Sequence, residues 1–305
     1  MWNTLVFLAA AKPDSTVLNE FPMIMVHDAA TTYLLAGGII SQKVYDFTKT
    51  QPTGGATELL RCGARAFDWR PQLKGGALQM HHGPISIEHS MSDAVDEMTS
   101  WCASSDELVV LGITDCDGGD ACVAAVKALL TSKNISYVTD CGELKGLTVA
   151  AAKERALLPA GGHLLATFDC WQQNYNASIA CRGFGDAAAA EEGGAEAEAL
   201  TYTCWNTSAT SSKPVGEMLA YLERVANQGP PSDGELYTAQ ALWEYGPEAI
   251  ALGSLAGSSI IEDEEKSSLN AMVTARVATY ANVNMIEVNN VCDGGPELYA
   301  ALQKL

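Results

Sequence analysis

The chain has 305 residues, yet no run in it approaches the ~20 consecutive apolar residues of a membrane-spanning helix. Positive charge is scarce as well, with 18 Lys and Arg against 37 Asp and Glu and a formal net charge of -19. Nucleic acid and broad adsorption to anionic membranes both demand a basic footprint, so neither is an expected partner. Any lipid contact must be local and transient. No CxxC pair is present, which argues against a zinc ribbon, and no internal repeat or interdomain linker breaks the chain. The opening stretch MWNTLVFLAAAKP lacks a basic n-region. It is expected to be a first helix of the mature chain rather than a residual signal sequence.

What the chain does have is enough apolar matter for one large core: 48% of its residues are hydrophobic, and a single domain is expected. Nine cysteines are many for a cytosolic enzyme, and Asn134, Asn176 and Asn206 each begin an N-glycosylation sequon. Together they place the protein at the cell surface or in the secreted pool, although sequons also arise by chance and cysteines also serve as small buried hydrophobes. Pairs such as Cys170 with Cys181 are candidate disulfides, and the odd total leaves at least one thiol unpaired within the chain.

Strand and helix patterns alternate along the sequence. PMIMVHDA, ARAFDWR, ALQMHHG, ELVVLGITD, GHLLATFD, LTYTCW, ELYTAQALW and NMIEVNNV read as short buried strands, several with polar residues at their C-terminal ends. Between them, SMSDAVDEMTSWCASS sets Met91, Ala94, Val95, Met98, Trp101 and Cys102 on one helical face. Further helices are predicted at ACVAAVKALL, capped by Asp120, and at TVAAAKERALL, VGEMLAYLERVAN and LNAMVTARVATY. This order predicts an α/β protein, a single-domain TIM-type (β/α)8 barrel of regular or irregular form, over residues 1–305. The acidic, low-complexity stretch at 186–199 is expected to be a surface insertion. A monomer is expected.

In such a barrel, residues at the C-terminal ends of different strands meet in one mouth. His27 and Asp28 would end the first strand, Asp68 and Arg70 the second, His82 the third and Asp115 the fourth. Two imidazoles beside a guanidinium suit phosphodiester cleavage: one accepts a proton from an attacking hydroxyl, the other donates to the leaving oxygen, and the arginine offsets charge on phosphorus. His81 should point away from His82 into packing. His89 and His163 are expected to be ordinary. Trp171, Tyr175, Trp205, Trp243 and Tyr245 line the mouth or belong to the core, and Cys170 lacks a histidine to activate it.

The ordered stretches HDAATTYL, GARAFDWRPQL and LQMHHGPI resemble the X-domain of phosphatidylinositol-specific phospholipases C, nearest the metal-independent bacterial type. The likeness is concentrated between Pro22 and Asp115. It implies His27 as general base, His82 as general acid, Asp28 as the carboxylate paired with that acid, Arg70 as phosphate clamp and Asp68 as support for the clamp. It also implies a reaction in which an inositol hydroxyl attacks phosphorus, giving a cyclic phosphate and diacylglycerol. Calcium-dependent relatives carry a carboxylate where Arg70 stands, so no metal or other cofactor is expected. The alternative is Ca²⁺ or Mg²⁺ on Asp28, Asp68, Asp115 and Asp117, which offer the oxygen ligands a hard cation needs.

Departures from the family pattern bear on the substrate. GITDCDGGD has Thr114 and Asp115 where the bacterial enzymes carry lysine, LLATFDCW lacks an arginine, and YTAQALWEY is read as lacking the carboxylate that holds inositol hydroxyls. Asn289 stands where an aspartate would orient the base, and Glu287, one alternating position away, is a substitute. Asp115, Trp243, Glu287 and Asn289 are therefore the candidate substrate-contacting residues, on a phosphodiester or phospholipid head group. Two rivals share the barrel: a metal-assisted hydrolase resembling glycerophosphodiesterases or sphingomyelinase D enzymes, and a non-catalytic surface binding or structural protein.

Overall fold

A computed structural model of the protein describes residues 12–34, 39–173, 212–230, 234–245, 247–257 and 259–305. The expected N-terminal helix, Tyr175, the LTYTCW strand with Trp205, Cys181, Asn176, Asn206 and the 186–199 insertion lie outside the described residues. Among the described residues the strands are β1 (Met23–Val26), β2 (Ala64–Trp69), β3 (Pro71–Lys74), β4 (Ala77–His82), β5 (Ile85–Ile87), β6 (Leu108–Ile113), β7 (Ser136–Val138), β8 (His163–Phe168), β9 (Trp171–Gln173), β10 (Leu236–Ala241) and β11 (Met285–Val288). The helices are α1 (Ile39–Thr48), α2 (Gly55–Arg61), α3 (Met91–Cys102), α4 (Gly119–Ser132), α5 (Val149–Arg155), α6 (Ser212–Ala226), α7 (Pro247–Ala256), α8 (Ile260–Ser267), α9 (Leu269–Arg276) and α10 (Gly295–Leu302).

Eight strands form one sheet in the order β7-β8-β6-β2-β1-β11-β10-β9. Every neighbouring pair in it is parallel. This is an irregular TIM-like α/β barrel: β7 lies outside β8, and β9 pairs with β10 at the opposite edge. Alternation divides the core. Ile24, Val26, Phe67, Leu111 and Ile286 pack with the helices, whereas Met23, Met25, Ala66, Val110, Leu165, Leu236 and Met285 form a second cluster on the other face. The helix α3 buries Met91, Ala94, Val95, Met98 and Cys102, with Ser90 rather than a charged residue as its cap.

Three expectations need correction. His82 does not end a barrel strand, because β3, β4 and β5 form a separate antiparallel sheet beside the mouth. Asp120 does not cap α4; Gly118 occupies that position with φ 113°, and Asp120 sits in the first helical turn. Cys170 pairs with Cys141, not with Cys181, and two further disulfides join Cys62 to Cys292 and Cys116 to Cys122. Cys141 follows β7 and Cys170 precedes β9, so this bond links segments adjoining the two edge strands. Cys102 remains a buried free thiol, and no helix among the described residues is long and apolar enough to cross a membrane.

Candidate active site

The mouth is shaped by a recurring backbone device. Just beyond β1, β6, β8 and β11, the chain turns through the left-handed region at Asp28 (φ 43°), Asp115 (φ 46°), Asp169 (φ 51°) and Asn290 (φ 44°). Asp and Asn are the residues other than glycine that adopt this conformation most readily. Each turn stops a buried strand and redirects the chain at the same end of the sheet. Buried Gln51 fastens two of these ends together, donating from Nε2 to the carbonyls of His27 (3.0 Å) and Val288 (2.9 Å). The Thr50 hydroxyl donates to the same His27 carbonyl at 3.0 Å.

Asp28 is the hub. Its Oδ2 lies 3.0 Å from His82 Nε2 and 3.3 Å from His27 Nε2, and its Oδ1 lies 3.0 Å from Arg70 Nη1. Arg70 Nη2 also donates to Asp68 Oδ2 at 2.9 Å, and that oxygen accepts from the Asp28 backbone N–H at 3.2 Å. The expected five residues, His27, Asp28, Asp68, Arg70 and His82, are thus brought together from β1, β2 and β4. His81 faces away, as alternation requires: it is 5% exposed, and its ring nitrogens meet the carbonyls of Gly83 and Asp115.

The electrostatics follow from this crowding. Burial alone would raise the Asp28 carboxyl, but His82, His27 and Arg70 outweigh it and hold Asp28 well below the usual carboxylate range. Burial alone would depress His27, yet Asp28, Glu244 and Glu287 overcome it and push the imidazole up to about 9. Glu287 is itself pushed up to about 7, chiefly by burial and further by Asp68, against the opposing pull of His27 and Arg70.

Asn289 stands next to His27, with its Oδ1 3.0 Å from His27 Nδ1. Glu287 does not take that place; it is buried beside His27 and Asp68, with one ligand atom of each within 4.8 Å of the others. Trp243 is a core residue, 1% exposed, with its indole N–H bonded to Ser267, so its ring does not line the mouth. Tyr245, in the same segment, bonds to Asp263. Asp115 stands apart from Asp28 and Asp68: its side chain is 66% exposed and lies nearest His81.

Two carboxylates escaped the sequence reading. YTAQALWEY does supply one, because Glu244 Oε1 comes within 3.4 Å of His27 Nε2. Glu264, in the acidic run of α8, is 1% exposed and accepts from Asn289 Nδ2 at 3.0 Å. The tandem Trp-Glu beyond an apolar strand was a usable signal for Glu244. Nothing local marks Glu264.

Of the three carboxylates Asp28, Asp68 and Asp115, the first two share the guanidinium of Arg70, whereas Asp115 lies beside His81. Another group among the described residues is His27, Asp68 and Glu287, whose ligand atoms all lie within 4.8 Å of one another. Glu58 with Cys62 and Cys292 is equally compact, but its sulfurs are spent in a disulfide.

No family model matches the sequence, and no curated protein does. Among solved structures, the chain is similar to the phosphatidylinositol-specific phospholipase C from Listeria monocytogenes, with a TM-score of 0.57 and 13% identity over 97% of both chains. A second similar structure is the phosphatidylinositol-specific phospholipase C of S. aureus, with a TM-score of 0.58 and 13% identity over 98% of this chain and 96% of that one. The chain therefore has the irregular α/β barrel fold of bacterial phosphatidylinositol-specific phospholipases C. At this identity the likeness establishes the fold and leaves the chemistry to the residues.

Proposed function

We propose that the protein is a phospholipase C-like phosphodiesterase that cleaves a phosphodiester or phospholipid head group without a metal. The observation that carries this reading is the convergence of His27, His82 and Arg70 on the single carboxylate of Asp28. His27 Nε2 takes the proton of the attacking hydroxyl while Nδ1 stays bonded to Asn289. The hydroxyl oxygen bonds to phosphorus and the bond to the leaving oxygen breaks. A protonated His82, steadied by Asp28, gives that oxygen its proton. Arg70, 20% exposed at its side chain, offers its remaining donors to the phosphoryl oxygens. If the hydroxyl belongs to the substrate, the product is a cyclic phosphate and lyase chemistry comes first. Three disulfides fit an oxidising, extracytoplasmic setting.

The test is to assay purified protein against phosphatidylinositol, glycerophosphodiesters and a chromogenic phosphodiester. Parent protein is expected to turn over at least one of them and His27→Ala none. Equal activity in the two would remove the assignment, and inertness of the parent would favour a binding role. The compact His27, Asp68 and Glu287 cluster supports one rival, a metal-assisted hydrolase. Loss of activity on EDTA treatment, restored by Ca²⁺ or Mg²⁺, would establish that rival.

A further inference from the structure

The helix α8 carries the run Glu262-Asp263-Glu264-Glu265, which in an ordinary surface helix would face water. Here Asp263 is 0% and Glu264 1% exposed. A carboxyl is costly to bury unless its oxygens are used. Glu264 Oε1 accepts two donors, the backbone N–H of Trp243 at 2.9 Å and Asn289 Nδ2 at 3.0 Å. Asn289 Nδ2 also reaches the carbonyl of Trp243 at 3.3 Å. Both protons of that amide nitrogen are therefore taken, and Oδ1 is left for His27.

This fixes a choice that an isolated asparagine leaves open. An asparagine amide can present either its oxygen or its nitrogen to a histidine, and the two choices select opposite tautomers. If Asn289 flipped, its oxygen would face two acceptors, the Trp243 carbonyl and Glu264 Oε1, and its nitrogen would face His27 Nδ1. We infer that Glu264 is a positioning residue that locks the Asn289 amide so that His27 keeps its proton on Nδ1 and gives and takes protons at Nε2. Its Oε1 can accept from both donors whether the group is ionised or neutral. Burial pushes Glu264 up to about 8, opposed by its bonds from Trp243 and Asn289. The lock therefore survives across the pH range in which His27 titrates.

The catalytic consequence rests on the assignment of His27 as general base, but the tautomer itself does not. Imidazole ¹⁵N NMR of protein labelled at histidine reads it directly. In the parent, titration through the His27 transition is expected to deprotonate Nε2 while Nδ1 stays protonated. Glu264→Gln should behave like the parent, because the fixed Trp243 N–H orients the new amide with its oxygen toward Asn289. Glu264→Met should give a mixture of tautomers and, on a substrate that the parent cleaves, lower kcat about 10-fold with KM little changed, the low end for loss of a supporting contact. If Glu264→Met does not fold, Glu264→Asp withdraws the acceptor by one methylene and should give the same mixture. An unaltered Nδ1–H tautomer in the folded variant that lacks the acceptor would overturn the inference. An inactive parent with the tautomers behaving as described would sink the phosphodiesterase reading alone.

Discussion

An arginine stands at each end of strand β2, a buried one at its start and a half-buried one just past its finish, and the two are put to opposite uses. Arg65, at its start, is saturated. Its guanidinium forks onto Glu107 with both bonds at 2.7 Å, donates to the carbonyls of Leu60 and Ala64, and lies between the rings of Trp101 and Tyr299 at 4.7 and 4.5 Å. Arg70, just past the strand's other end, meets Asp68 and Asp28 and has no other protein acceptor among the described residues. One end of the strand is a closed polar knot that stabilises the fold. The other holds donors in reserve beside two imidazoles. A charged group that the fold has satisfied on every side is structural, whereas one held in place but incompletely used is available to a ligand.

The largest expected difference comes from substituting lysine at the two positions, because a point charge cannot replace a planar fork. Arg70→Lys should lower kcat/KM by about 10²-fold, the scale for losing a donor to developing charge, with little change in the denaturation midpoint. Arg65→Lys should do the reverse, destabilising by about 2 kcal/mol with kcat/KM per folded molecule unchanged. Matching losses of activity in both variants would erase the distinction.

A smaller effect belongs to the pH profile. Because His27 must be neutral to accept a proton and sits at about 9 in the free protein, kcat/KM should rise as pH climbs through that region. Glu244→Gln removes one of the charges holding the proton on His27, so the rise should move to lower pH. The sign for stability is opposite. A raised histidine contributes fully below its ordinary value of 6.5, and that contribution disappears as pH passes through about 9. A rise in kcat/KM already complete at the ordinary histidine value in the parent would remove the carboxylate crowding from the account. The smallest effect is expected at the closed end. Glu107 is 39% exposed at its side chain, so Glu107→Gln should cost about 1 kcal/mol or less and leave turnover unaltered.

How much of this could be seen in the sequence depends on the distance over which each contact acts. His27, Asp28, Asp68 and Arg70 were legible because an apolar strand that ends in polar residues has a local pattern. His82 was legible as a residue but assigned to the wrong sheet. The two glycines before it, Gly75 (φ 58°) and Gly76 (φ 83°), form the tight turn of a hairpin, which makes β3 and β4 antiparallel. Asn289 was identified at its position but not in its state, since only the fold shows that its nitrogen is spent on Trp243 and Glu264. Glu264 was illegible because an acidic run in a short helix has the pattern of a solvated face. What buries it is set by residues 21 and 25 positions away. Trp243 misled for a related reason: a strand-end aromatic looks the same in sequence whether it faces a mouth or a core.

The central claim is that His27, His82 and Arg70, which converge on Asp28, act together on one phosphoryl group. Titration of the labelled protein with inorganic phosphate, followed through the imidazole resonances of His27 and His82, addresses it most directly. The account predicts that both histidines shift together along one saturable curve, and that Arg70→Lys weakens the binding at both. Silence from either imidazole at saturating phosphate, or binding indifferent to Arg70→Lys, would contradict it.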